Sequence, residues 1–341
     1  MASGKTLLSV LGGETTETPL LWLMRQAGRY LPEYRDLRAQ AGSFWKLCMT
    51  PQWAVEATLQ PIRRFGFDAA IIFSDILVVA AALGRDVHFA DGEGPRMEPV
   101  VSANGLANEP DRLALEPVYE AIGMARTGLD GSTALLGFAG APWTLATYLA
   151  AGSGGDEHRA AKLWAYRDPA GFELLVDKLA RCVATHLIGQ LQAGADAVQI
   201  FDSWAQGLPE AFYASWVIAP TRRIVEQVRV AVPNARIIGF PRGSTLAGYE
   251  RYVRETDVDA VSLDTAVPMG WAAETLSPLL VCQGNLDPLA LVAGGRALEE
   301  GVRVILEAMR GKRHIFNLGH GILPETPLEN VDELIRLVRA P

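Results

Sequence analysis

The sequence predicts a single (β/α)8 barrel over residues 1–341, and three observations predict it. Eight short apolar runs recur along the chain, longer amphipathic segments separate them, and no linker-like shift in composition interrupts the series. Runs that are apolar throughout, rather than alternating, suit parallel strands buried on both faces. Strands alternating with helices then close into a barrel. An open doubly wound sheet is the competing arrangement on pattern alone.

The strands are expected near Leu20–Met24, Ala69–Phe73, Ala134–Phe138, Ala197–Phe201, Arg236–Phe240, Ala260–Leu263, Leu279–Gln283 and Ile315–Leu318. Thr50-Pro51, Asp168-Pro169 and Asp287-Pro288 each place a capping side chain before a proline, which loses no hydrogen bond in a first helical turn. Helical spacing follows over 169–193, 209–231, 288–310 and 327–339, with Gly194 and Gly311 as stops. Residues 1–17 are expected to be a flexible tail, and Gly152–Gly155 a loop. No internal repeat is evident.

Composition narrows the function. The chain is 49% apolar and 21% charged, as globular proteins are. A net charge of −8 speaks against a non-specific nucleic-acid binder. Three widely spaced cysteines, Cys48, Cys182 and Cys282, with no C-x-x-C pair, give neither a disulfide framework nor a cysteine zinc site. Met1–Gly13 lacks the apolar core of a signal peptide, and Ala69–Leu83 is too short and too interrupted to span a membrane. A cytoplasmic protein is expected.

In such barrels chemistry sits where strands end. The residues there are Arg25, Asp75, Ala139–Trp143, Asp202-Ser203, Pro241-Arg242, Asp264, Asn285 and His320. The segment Arg25–Arg35 holds three arginines within eleven residues, with Arg38 and Lys46 beyond. Arginine's planar fork grips carboxylates or phosphates, and Ala27-Gly28 lets a ligand approach the backbone. Against this stands a plain solvated loop. Asp75 lies between two apolar runs, where a carboxylate is costly unless paired or protonated. A helix N-cap is the equally weighted alternative.

Gly137–Leu145 reads as strand, turn and helix, with Trp143 expected to pack and Tyr148 on the helical face of Thr144. Ser203 has no G-x-S-x-G elbow around it and suits a hydrogen-bond donor better than a nucleophile. Of the five histidines, His320 alone follows a strand with glycines on both sides; His186 suits core or surface. No G-x-G-x-x-G, Walker loop or H-E-x-x-H occurs. None of the five lysines directly follows a strand, which removes Schiff-base chemistry. Cys282 and His320 could approach each other across strand ends, but no metal-ligand cluster is expected.

Pro19–Arg29 resembles the N-terminal signature of the uroporphyrinogen decarboxylase family, and Gly137–Leu145 with Tyr148 resembles its second signature. Phe73–Leu77, Phe201–Ser203 and Asn317–Gly321 look like further blocks of that family, in order, from about Thr18 onward. Asp202 stands where some members carry glutamate. The resemblance implies a cytoplasmic carboxy-lyase of haem (porphyrin) biosynthesis that converts the four acetates of uroporphyrinogen to methyl groups. It also implies a homodimer of barrels without cofactor or metal. The carried-over substrate-binding residues are Arg25, Gln26, Ala27, Gly28, Arg29, Asp75, Tyr148, Ser203 and His320, with Asp75 and Arg25 catalytic. The competing functions are a zinc- and corrinoid-dependent methyltransferase of the same superfamily and a non-catalytic tetrapyrrole-binding barrel. Phe240-Pro241-Arg242, where such methyltransferases often carry H-x-C, opposes the former.

Overall fold

The computed structural model describes residues 6–90, 94–154 and 157–340. Its barrel strands are β1 (Leu20–Leu21), β2 (Ala69–Ile71), β3 (Ala134–Gly140), β4 (Ala197–Asp202), β5 (Ile237–Pro241), β6 (Ala260–Ser262), β7 (Val281–Gln283) and β8 (His314–Phe316). All eight fall on the expected apolar runs. They form one parallel sheet in the order β1-β8-β7-β6-β5-β4-β3-β2. This is a TIM-type α/β barrel rather than an open doubly wound sheet.

What closes it is not a ladder. Between β1 and β2 the backbone of Asp68 donates to Leu21 O (3.0 Å), and the Leu21 N–H donates to the Asp68 carboxylate (2.7 Å). The Gln26 amide finishes the seam, donating to Ala69 O (3.0 Å) and accepting from Leu23 N (3.2 Å).

The Asp68 device recurs. Asp196 takes the Leu135 N–H (2.7 Å) and Asp259 the Ile237 N–H (2.8 Å), each just before the strand it introduces. Arg126 pairs with Asp196 at 2.9 Å, Arg236 with Asp259 at 2.9 Å, and Arg339 lies 3.7 Å from Asp68. The signature is Asp-Ala at 68–69, 196–197 and 259–260. It is a short repeat that the absence of longer self-similarity conceals.

The barrel interior is polar where uniform apolar runs suggested hydrocarbon. Trp22 Nε1 donates to Gln283 Oε1 (3.0 Å), and the Gln283 amide donates to Gln199 Oε1 (3.2 Å) and Ser262 Oγ (3.1 Å). All four residues are fully buried. Each amide inside a strand therefore finds a partner, as burial demands.

Four expectations need correction. Within the proposed tail, Thr6–Leu11 is a helix that buries Leu7, Val10 and Leu11; apolar i, i+3, i+4 spacing anchors it. The segment 288–310 is two helices, Pro288–Ala293 and Gly295–Ala308, because Gly294 takes a left-handed φ of 65°. The segment 209–231 contains a π turn at Tyr213–Ile218. Thr50 precedes its helix without a side-chain cap, whereas Asp168 and Asp287 do cap theirs. Within the expected Gly152–Gly155 loop, Gly155 lies outside the described residues. A hairpin pairing His88–Ala90 with Gly94–Arg96 was not foreseen.

Asp259→Ala strips Ile237 of its acceptor and leaves Arg229 and Arg236 without their shared carboxylate. The expected cost is about 1–3 kcal/mol of stability in urea titrations. Ligand-end properties should survive, because Asp259 sits at the opposite end of the strands. Unchanged stability would mean that the ladder alone holds this strand pair.

Candidate active site

At the C-terminal ends of the strands lies a cavity of about 480 Å³, within the range of small-molecule sites. Phe138, Phe201 and Phe240 line it at the ends of β3, β4 and β5, meeting edge-to-face at 5.7 and 6.0 Å. A second aromatic wall comes from Tyr34, Phe44 and Phe73, with Phe89 of the hairpin 4.8 Å from Phe44. The container is thus largely apolar, with polar groups from the strand-end loops and from Tyr34 and Tyr148 on adjoining helices.

Arg25, Ala27, Gly28, Arg29, Asp75, Tyr148, Ser203 and His320 all line this cavity. Eight of the nine residues singled out from sequence therefore come together. Gln26 does not. It is fully buried, and both ends of its amide are spent on the β1–β2 seam. Its backbone carbonyl accepts the Tyr30 hydroxyl at 2.8 Å. Gln26 holds the loop rather than a ligand.

Arg25 adopts a left-handed backbone with φ 61°, which turns its side chain into the cavity. The side chain is accessible from the cavity yet crowded by protein, and this burial lowers its pKa; Tyr148 and Asp75 oppose that shift, while Arg242 and Arg29 reinforce it. Gly321 makes room: a Cβ there would collide with Arg25 Cδ. Arg35 does not join the site. It donates to the carbonyls of Arg29 (2.8 Å) and Tyr30 (3.2 Å) and so braces the loop that carries Arg25 and Arg29. Lys46 sits over the Trp53 ring at 5.1 Å.

Asp75 is not the helix N-cap of the alternative reading, since Leu77 holds that position without a side-chain cap, but its two oxygens have different surroundings. Oδ1 accepts the Leu77 N–H at 2.8 Å, starting the turn into the helix Val78–Ala82. Oδ2 has no hydrogen-bond donor among the described residues, and no cation pairs with it within 4 Å. Burial pushes its pKa up to about 6, against the opposing pull of the Leu77 N–H and Arg25.

Tyr148 projects from the helix Pro142–Ala151, and burial raises its phenol, which stays protonated as a donor. Trp143 is buried as expected; its Nε1 donates to Trp204 O (2.8 Å), locking that helix to the loop that bears Ser203. Behind Ser203, Asp202 accepts Thr144 Oγ1 at 2.6 Å, and burial lifts it to about 7.

His320 Nδ1 accepts the Gly321 N–H at 2.6 Å, so its proton rides on Nε2. Burial first, then Arg25 and Arg242, pull its pKa down to about 3. It is a neutral donor. His186, buried against the Tyr119 hydroxyl at 3.2 Å, belongs to the core. Cys282 faces Ala272, not His320, and no group of three or more His, Cys, Asp or Glu able to hold a metal occurs among the described residues.

Asp264 and Asn285, also at strand ends, are structural. Asp264 accepts from Tyr249 (2.8 Å) and Gly243 N (2.7 Å), and Asn285 donates to Asp264 O and Val267 O (both 2.8 Å). Sequence reasoning missed Phe44 and Phe89. The only hint of the latter was Asp91-Gly92, a hairpin-turn dipeptide.

The model of the uroporphyrinogen decarboxylase family matches residues 2–341. The chain belongs to that family. A uroporphyrinogen decarboxylase from Rhodospirillum rubrum is 51% identical over 340 residues, covering 99% of this chain and 97% of its own. One from Brucella canis is 54% identical over 337 residues, covering 98% of each. Among solved structures, a methyltransferase from Methanosarcina mazei superposes with a TM-score of 0.80 at 19% identity, covering 97% of this chain and 96% of its own. At that identity the likeness concerns the barrel alone. The family assignment comes from the close relatives.

Two outcomes are expected here. Gly321→Ala should displace Arg25 and lower kcat/KM by about 10²-fold without unfolding the barrel; wild-type kinetics would show that Arg25 has room to spare. In an NMR titration, His320 should stay neutral with the Nε2–H tautomer across about pH 5 to 8. Protonation within that window would overturn the neutral assignment and remove Nδ1 as the acceptor of the Gly321 N–H.

Proposed function

We propose that this chain removes the four acetate carboxylates of uroporphyrinogen III, releasing four CO2 and coproporphyrinogen III, with no cofactor. The observation that carries the reading is the pairing of an unneutralised carboxylate, Asp75, with two arginines that have no acidic partner among the described residues, Arg25 and Arg29, in one apolar cavity. A flat, apolar macrocycle ringed by carboxylates complements that arrangement. Family membership and relatives above 50% identity supply the substrate.

Decarboxylation leaves an electron pair that needs a sink, and the substrate's own pyrrole provides it. A proton adds to a ring carbon and gives an iminium-like cation. The carbon–carboxylate bond then breaks, its electrons neutralise the ring, and CO2 departs. A proton reaches the exocyclic carbon to form the methyl group, and the ring proton leaves. Each cycle consumes one proton net.

In this scheme Asp75 faces the pyrrole N–H groups with its unpaired oxygen and stabilises the cation as it forms. It acts from a low-dielectric setting where a fixed charge counts most. Arg25 and Arg29 hold side-chain carboxylates. Arg25 relays protons only through a water, since a guanidinium keeps its own. Tyr148, Ser203 and His320 donate hydrogen bonds to other carboxylates, with Ala27 and Gly28 letting the ligand reach the backbone. We further propose a homodimer of single-domain barrels in the cytoplasm. The three buried cysteines form no disulfide, which agrees with that compartment. No helix among the described residues is long and apolar enough to cross a membrane.

The test is an anaerobic assay of metal-stripped protein with uroporphyrinogen III, products being separated by carboxylate number. Seven- to four-carboxylate products are expected, and Asp75→Asn should cut their formation by at least about 10²-fold. The acid limb of kcat/KM should fall near pH 6, as Asp75 protonates. Folding raises this carboxyl, so the native state holds its proton longer than the unfolded chain does. Stability therefore declines as pH climbs from the unfolded value, near 4, to about 6, and the loss is complete above that. Asp75→Asn should consequently melt no lower than wild type at pH 7.5. Near-normal turnover in that variant would end the assigned role. Activity that returned only with zinc or a corrinoid would end the reading itself.

A further inference from the structure

The loop after β5 carries a third cation that the sequence blocks did not select. Arg242 is half-buried, with Nη1 donating to the carbonyl of Ser203, itself a cavity residue, at 3.4 Å. Its backbone is fixed, the N–H donating to Asp202 O (3.1 Å) and Phe240 O (3.0 Å). The next residue, Gly243, has a left-handed φ of 75° and donates to Asp264 at 2.7 Å. The arginine thus has a rigid base on the β4–β5 side, next to the cavity residues Phe240 and Ser203.

No carboxylate among the described residues lies within ion-pairing distance of Arg242, although two acids, Asp202 and Asp264, stand close in the fold. Neither pairs with it: Asp202 accepts Thr144 through Oδ1 while its Oδ2 is buried without a partner, and Asp264 is bonded to Tyr249, Gly243 and Ala266. Arg242 also acts on the site at close range, adding to the repulsion felt by Arg25 and by a protonated His320. Two like charges left uncompensated around one cavity are unfavourable unless an anion joins them. A surface arginine could turn to solvent instead, whereas this one is bonded to the cavity wall.

We propose that Arg242 is a binding residue for a peripheral carboxylate of the tetrapyrrole, completing with Arg25 and Arg29 a cationic rim around the ligand. This deepens the proposed decarboxylase reading and rests on it. Arg242 positions the ring from the side opposite the β1 loop and takes no part in bond breaking.

The experiment compares steady-state kinetics of wild type, Arg242→Gln and Arg242→Lys with uroporphyrinogen III over a range of ionic strength. Loss of one charge-assisted bond should raise KM about tenfold or more in Arg242→Gln while kcat stays within about threefold. The salt dependence of KM should become shallower, and Arg242→Lys should recover part of the loss. A normal KM and salt dependence in Arg242→Gln, with wild type active, would overturn the proposal. Equal falls in kcat and melting temperature in both variants would overturn it too, by marking a merely structural arginine. An inactive wild type would instead overturn the decarboxylase reading, so the two failures are distinguishable.

Discussion

The seam between the first and second strands is the constraint on which the site depends. The two-residue strand β1 is laddered to β8 but not to β2, so on that side Asp68 and Gln26 supply side-chain groups where a backbone ladder is lacking. Arg25 immediately precedes Gln26, and Asp75 follows the strand to which Gln26 is tied. Closing the barrel therefore brings the cation of one loop to the anion of the next. The unusual backbone of Arg25 persists because the residue after it is pinned at both ends of its amide.

Having brought opposite charges together, the fold keeps them from touching. Direct pairing would satisfy both and leave neither for a ligand. Asp75 is turned by its bond to Leu77, Arg25 is seated against Gly321, and His320 is held as a neutral donor by the adjacent glycine N–H. Keeping Asp75 buried and Arg25 at a positive φ costs stability locally. The buried aromatic and aliphatic core beneath the cavity offsets that cost, together with the aspartate–arginine staples at the far end of the strands.

The barrel was legible because buried parallel strands leave a one-dimensional trace in uniformly apolar runs. The polar interior left none: Gln199 and Gln283 look like interruptions until neighbouring strands bring them face to face. Strand ends led to Arg25, Asp75, Ser203 and His320, which line the cavity, and equally to Asp264 and Asn285, which do not, since chain direction fixes which end carries the loops but not which side chains face inward. Gln26 was misplaced for a like reason. Lying inside a recognisable block says nothing about whether an amide faces the cavity or the seam. The Asp-Ala repeat was too short to stand out, and its meaning lies in spatial pairing between strands rather than in spacing.

Among the described residues no carboxylate pairs with Arg25, Arg29 or Arg242, and on the proposed reading this has a kinetic consequence. Every acetate lost exchanges a negative group for a neutral methyl, so the ligand sheds charge while the rim keeps its own. On the proposed binding roles, a ligand arriving with eight carboxylates would be gripped more tightly than the four-carboxylate species that leaves. A rim that binds as proposed is thus a charge meter, loosening its hold as conversion advances. Departure of finished product and its poor competition with incoming substrate then need no moving part.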